Sequence, residues 1–314
     1  MSTARLIPET WQLTGDDAWK TLEHCGRRRL LADGFARLRF SDGFSHARSL
    51  AFMLTLASIQ GMIALVGLAV AFGGHGISDV IVRAVHGAAP GPVGALLTTA
   101  IAQAQQEGAA HSYVGLAFGG IGWLVTATTA MGQLERGLNR LYGVEKDRAS
   151  LQKYGRALLL AISVGLMLSA SVTLLAFGRT LGTSLSSGQA RLFDFATWPV
   201  GLGLALASMA LLFKLCPRRH MPAWSWLAFG SAVAVALWFA LTLGLSYYFG
   251  HSGSFGKTYG PLAGVVALLM WALLSSIAVF YGAAVAAQLE AVRSEAPSSP
   301  QDQRKVAESE PHAA

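Results

Sequence analysis

Six long apolar runs limit what this chain can become. They cover residues 49–73, 113–132, 154–177, 197–215, 223–249 and 259–286, each close to the ~20 residues that an α-helix needs to cross the hydrocarbon of a bilayer. The expected fold class is all-α, a polytopic membrane helical bundle of six transmembrane helices. Only 13% of the 314 residues are charged and 53% are hydrophobic, against roughly 25% charged in a soluble domain. Pro261 opens the last run, where a proline suits the first turn of a helix, and Pro199 and Pro217 bracket the fourth in the same way.

The basic residues orient the bundle. Of 24 Lys and Arg, 20 fall in segments 1–48, 134–156, 214–222 and 286–314, and 4 fall in the loops that alternate with these. Cationic loops stay in the cytoplasm, so both termini are expected inside. The same bias accounts for the net charge of +7 without nucleic acid, which would require a clustered basic face or a base-stacking platform. Cys25 and Cys216 fall on the cytoplasmic side, where thiols stay reduced, and no disulfide is expected. No short apolar core with a small-residue cleavage site precedes the first run, so an uncleaved chain is expected.

Three units follow from this. Residues 1–48 form a cytoplasmic N-terminal segment, residues 49–286 the six-span domain, and residues 287–314 a tail too polar to bury a core and expected to be disordered. Within the first unit, residues 16–40 read as one amphipathic helix on the membrane surface. Trp19, Leu22, Leu31, Phe35 and Leu38 share a side, and Lys20, Arg27, Arg28, Arg29, Arg37 and Arg39 lie elsewhere. Anionic headgroups attract such basic residues by about 1 kcal/mol each; the alternative is a helix packed on the cytoplasmic loops. Residues 93–104 carry Val93, Leu96, Leu97, Ala100, Ile101 and Ala104 on one side but are too short to span, so they read as an external amphipathic helix. Small residues four apart, at Gly115 and Gly119, Gly178 and Gly182, Gly203 and Ala207, Gly230 and Ala234, and Gly260 and Gly264, predict close helix approach. Trp238 and Trp271 fall mid-span, where they fill helix packing or line a cavity.

No catalytic constellation is present. The eight histidines are scattered on both sides of the membrane with no HxH, HxxE or HExxH spacing, and no GxxxxGK[ST], GxSxG or CxxC motif occurs. The expectation is a non-enzyme with no cofactor, no metal and no nucleic acid. The spans hold uncharged polar residues, most of which can bond their own helix. Gln60 is the exception, since an amide in hydrocarbon must find a partner. The remaining candidate functional patch is the polar end of the second span: Gln133, Glu135, Arg136, Asn139, Arg140 and Tyr142, ahead of a turn at Gly143. Arg136 and Arg140 share a face and need an anion between them, either a lipid headgroup phosphate or a carboxylate such as Glu290.

The stretch LERGLNRLYGVEKDR at 134–148, followed by KYGRALLL at 153–160, resembles the central signature of the YihY/BrkB family of bacterial inner-membrane proteins, once mislabelled ribonuclease BN. Residues 51–70 resemble that family's first span and 258–290 its last. Gln60 stands where the first span usually has proline, and Ala284 where an acidic residue is common. The resemblance implies a multi-pass inner-membrane protein whose function is unsettled. Membrane lipids and an amphipathic or lipid-like substrate are the expected partners of a transporter-like protein. The alternative is a non-transporting scaffold in envelope maintenance or virulence.

Overall fold

The computed structural model describes residues 6–10, 12–71, 99, 112–144, 150–182, 187–252 and 254–294. Among these, the regular elements are helical: α1 (Gly15–Cys25), α2 (Arg27–Phe40), α3 (Gly43–Ala71), α4 (Ser112–Leu141), α5 (Ser150–Gly182), α6 (Ser187–Leu215), α7 (Trp224–His251), α8 (Phe255–Tyr259) and, after a 3-10 turn at Gly260–Leu262, α9 (Ala263–Arg293). Six are long and apolar enough to cross a membrane, with spans at Gly43–Ala64, Tyr113–Leu141, Gln152–Ser171, Phe195–Leu215, Trp224–His251 and Ala263–Arg293. They are α3 to α7 and α9, the six apolar runs of the sequence.

Several boundaries differ from the sequence reading. The expected helix over 16–40 divides at Gly26, whose φ of 80° favours glycine. The Asp17 carboxylate starts α1 by accepting the Thr14 backbone N–H at 3.1 Å, as an acidic group in a first helical turn should. Leu22, Leu30 and Leu38 are buried against the protein, α1 lying on α7 and α9 and α2 on α9. Trp19, Leu31 and Phe35 remain exposed. The fourth span does not open at Pro199: α6 starts at Ser187 and carries Pro199 inside it, so one intrahelical hydrogen bond is absent there. The last helix passes the expected boundary at 286 and runs to Arg293. Apart from residue 99, the external helix expected at 93–104 lies outside the described residues, as do Gly178 and Gly182 side-chain surroundings and the tail from 295.

Close approach occurs at some of the small-residue pairs and not at others. A Cβ added at Gly230 would lie 2.8 Å from the Gly282 carbonyl, and one at Gly282 would lie 2.6 Å from the Gly230 carbonyl. The backbones of α7 and α9 thus touch, which only small residues permit. On the α3–α4 contact, a Cβ at Gly119 would meet the Ala64 backbone nitrogen at 2.6 Å. Gly115, Gly203 and Gly260 have open space instead, so spacing alone overcounts contacts. Higher in the α7–α9 pair, Trp238 donates its indole N–H to Ser275 Oγ at 3.0 Å and Trp271 donates to Thr242 Oγ1 at 3.3 Å. The two rings also meet edge to face at 6.4 Å. These tryptophans lace the two helices together.

Several described span hydroxyls bond their own helix, as Thr126 does to the Gly122 carbonyl and Ser276 to Ala272. Ser171 instead reaches across to the Gly201 carbonyl of α6 at 2.7 Å.

The order of the spans matters for function. Among the described residues, α4, α5, α6, α7 and α9 pack in a ring, each on its neighbours, and α4 meets α9 to close it. Among the described residues, no pair facing each other across the ring makes more than marginal backbone contact. Helix α3 lies outside, packed on both α4 and α9 over the seam where they meet. That seam is tight at the end carrying the signature stretch, where the Phe280 ring sits on Gly137, 2.3 Å from where a Cβ would be.

Candidate functional site

The polar end of α4 meets the end of α9, α2 and the α6–α7 loop in one buried cluster. Helix α9 creates the setting: residues 282–291 are buried on every side, because α1, α2, α3 and α7 converge on it. Its run of alanines allows that convergence. Two polar groups, Gln288 and Glu290, are carried into the interior with it, both fully buried. Two residues apart on a helix, they point to opposite sides.

On one side Arg37 of α2, itself buried, donates Nε to Gln288 Oε1 at 2.9 Å and Nη1 to the Leu141 carbonyl at 3.1 Å. Burial lowers the guanidinium to about 10, which still leaves it charged at neutral pH. On the other side Arg219 of the α6–α7 loop donates Nη2 to Glu290 Oε1 at 2.6 Å, with side chains 2% and 0% exposed. The Arg219 guanidinium lies 4.8 Å above the Tyr142 ring, a cation–π contact strengthened by the absence of water. Tyr142 is buried, and burial, with Glu290 nearby, pushes its phenol up, so it stays neutral. Thr10 from the N-terminal segment also donates its hydroxyl to Glu290 Oε1.

Gly143, with φ of 74°, ends α4: its N–H returns to the Arg140 carbonyl and that of Val144 to the Asn139 carbonyl at 2.8 Å. This is the left-handed glycine stop of a helix, and it holds Asn139 so that its Oδ1 accepts the Arg218 N–H at 2.8 Å. Lys214 closes the same loop by donating Nζ to the Met221 and Pro222 carbonyls at 2.7 and 2.6 Å.

The patch expected from sequence is therefore split. Glu135, Asn139 and Tyr142 are buried, Gln133 and Arg140 are half-buried, and Arg136 is exposed. Glu290 is the buried carboxylate of this end, but its guanidinium is Arg219 and not Arg136 or Arg140. Gln60 belongs elsewhere: its amide rests on Gly122, 2.7 Å from where a Cβ would be, about 16 Å along α4 from Gln133 at 1.5 Å per residue. Arg37, Arg219, Gln288 and Thr10 were not expected in the site. A signal for one of them exists in the sequence, since AAVAAQLEA keeps small residues on every side of α9 and implies that Gln288, like Glu290, is enclosed by protein. Among the described residues, no group of three or more His, Cys, Asp or Glu is placed to hold a metal.

The family model for the virulence factor BrkB matches residues 35–307, which takes in every span and all of the cluster but its N-terminal part. The chain belongs to the BrkB family. Relatives include the Bacillus subtilis protein YfkH, named as ribonuclease-like, at 26% identity over 180 residues, 55% of this chain and 65% of YfkH. A UPF0761 membrane protein of Rhodospirillum rubrum is 34% identical over 186 residues, 55% of this chain and 39% of its own length. Another, from Alteromonas mediterranea, is 27% identical over 168 residues, 53% and 56% of the two chains. The chain thus spans less than two thirds of the length of these relatives. No solved structure matches it. With six apolar helices and these kin, this BrkB-family chain is a multi-pass bacterial membrane protein.

Proposed function

We propose that this BrkB-family protein is transporter-like and handles an amphipathic or lipid-like molecule in the inner membrane, with both termini in the cytoplasm. The observation that carries this is the ring of α4, α5, α6, α7 and α9 without cross-ring packing. Five helices spaced at about 9 Å place facing members roughly 15 Å apart, and an extended acyl chain is the shape of molecule that such an axis would take. The exposed Trp19, Leu31 and Phe35, beside the exposed Arg27, Arg28 and Arg29, suit a surface that lies against lipid headgroups. The cluster of Arg37, Arg219, Tyr142 and Glu290 is the structural hub at the cytoplasmic end of the ring.

Protein purified in mild detergent should retain one lipid class in near-stoichiometric amount, read by native mass spectrometry. Recovery of only the bulk membrane mixture would favour the scaffold. For orientation, single cysteines replacing Arg148 and Gln105, both outside the described residues, should label from opposite faces of the membrane; labelling from one face would overturn the orientation. For chemistry, the purified protein should show no metal-dependent RNA cleavage above a vector-only preparation, and cleavage abolished by changing one histidine of this chain would contradict the non-enzymatic reading.

A further inference from the structure

The segment ahead of α1 is bonded across the signature end of the ring at Ile7, Pro8, Glu9, Thr10 and Leu13. Ile7 is 1% exposed and donates its N–H to the Tyr142 carbonyl at 3.2 Å. The Pro8 carbonyl accepts Arg219 Nη2 at 3.0 Å. The Glu9 carboxylate accepts the His220 backbone N–H at 3.2 Å and faces its Nδ1 at 3.0 Å, and the His220 N–H holds that carboxyl below its usual range. Thr10 donates to Glu290, and the Leu13 carbonyl accepts the Ala223 N–H at 3.1 Å. These partners come from the α4 turn, the α6–α7 loop and α9, so the segment ties three parts of the ring's end together.

We propose that residues 7–10 are a detachable plug over the signature end of the ring, seated on the Arg219–Glu290 pair. Its attachment differs from the helix–helix contacts near this end. Phe280 on Gly137 and Gly230 on Gly282 are interlocked apolar contacts that cannot part without separating helices. The plug buries one large apolar side chain, Ile7, and is otherwise held by hydrogen bonds that water can replace, with Pro8 and Glu9 exposed. Its seat is also incompletely satisfied: among the described residues, Arg219 Nε and Nη1 and Glu290 Oε2 are buried without a hydrogen-bond partner. Enclosing an ion pair with unused donors and acceptors is costly, and lifting the plug admits water to them. Loss of the plug's bonds is thereby offset by hydration of its seat, which keeps the seated and lifted states close in free energy. The role of the plug as gate to the ring rests on the transporter reading; its detachment does not.

The test uses the full chain in lipid nanodiscs, with Cys25 and Cys216 replaced by serine and one new cysteine at a time: Ile7→Cys in the plug, Leu138→Cys in the core of α4, which is 0% exposed, and Glu23→Cys on the surface. Maleimide should modify Ile7→Cys more slowly than Glu23→Cys. Adding Glu9→Ala, which removes the plug's bonds to His220 and leaves the buried pair intact, should speed it at least threefold and leave Leu138→Cys unchanged. Thr10→Val, which removes only the plug's own bond and keeps the buried pair, should speed it at least threefold. The proposal fails if neither substitution accelerates Ile7→Cys, if Leu138→Cys accelerates in parallel, or if Ile7→Cys already reacts as fast as Glu23→Cys. No substrate enters this assay, so a protein that passes it and moves no lipid would keep its plug and lose its transporter role.

Discussion

Arg219→Ala should all but abolish the folded protein. The substitution leaves Glu290, 0% exposed at its side chain, as a buried carboxylate without its cation, a change that costs about 3–5 kcal/mol. That is a large part of the 5–15 kcal/mol by which a native protein is typically stable. The monodisperse peak in size-exclusion chromatography should collapse, and survivors should lose well over ten degrees in thermal midpoint. Two companions make the result interpretable. Arg136→Ala, at an exposed position of the same signature stretch, should change stability by no more than roughly 0.5 kcal/mol. The double replacement Arg219→Met with Glu290→Met should recover most of the loss, because removing both buried charges is often near neutral. Equal effects of Arg136→Ala and Arg219→Ala would show that the exposed patch, and not the buried pair, holds this end together.

Gly282→Ala should be nearly as damaging, for a reason unrelated to charge. Its Cβ would fall 2.5 Å from the Ala234 Cβ and 2.6 Å from the Gly230 carbonyl, and neither backbone nor a Cβ can swing aside. Helices α7 and α9 would have to separate, breaking the Trp238–Ser275 and Trp271–Thr242 bonds that depend on their spacing. Overpacking of this kind costs about 1–3 kcal/mol, and the lost bonds add to it. Gly203→Ala has open space and, as a glycine replaced inside a helix, should be neutral or stabilising by up to roughly 1 kcal/mol. Both variants are read by the same thermal midpoint. A tolerated Gly282→Ala would contradict the backbone contact between α7 and α9.

The contrast between these two glycines shows what the chain discloses before it folds. Span number, span length and the stop at Gly143 are local properties of hydropathy and backbone freedom, and they were legible. Which helix faces bring backbones into contact was not, because Gly203 and Gly230 have the same small-residue spacing and differ only in what packs against them. The site was half legible. Asn139 and Tyr142 stood out beside charged neighbours, and Glu290 was an evident carboxylate at the right end. Its pairing with Arg219 and Thr10 depends on residues 71 and 280 positions away, brought together by the convergence of α1, α2 and the α6–α7 loop on α9. Hydropathy ended the last span at 286 because Gln288 and Glu290 are polar. The helix continues because protein, and not lipid, surrounds its final turns.

The transporter-like role is tested most directly by lipid movement in a defined membrane. Purified protein is reconstituted into phosphatidylglycerol and phosphatidylethanolamine vesicles carrying a trace of fluorescent phosphatidylglycerol, and dithionite added outside quenches the label on lipid that reaches the outer leaflet. Vesicles with the protein should lose clearly more than the half of the signal that protein-free vesicles lose, at a rate that rises with protein content. Quenching that stops at the same half with and without correctly folded protein would contradict the proposed handling of a lipid-like molecule by this ring.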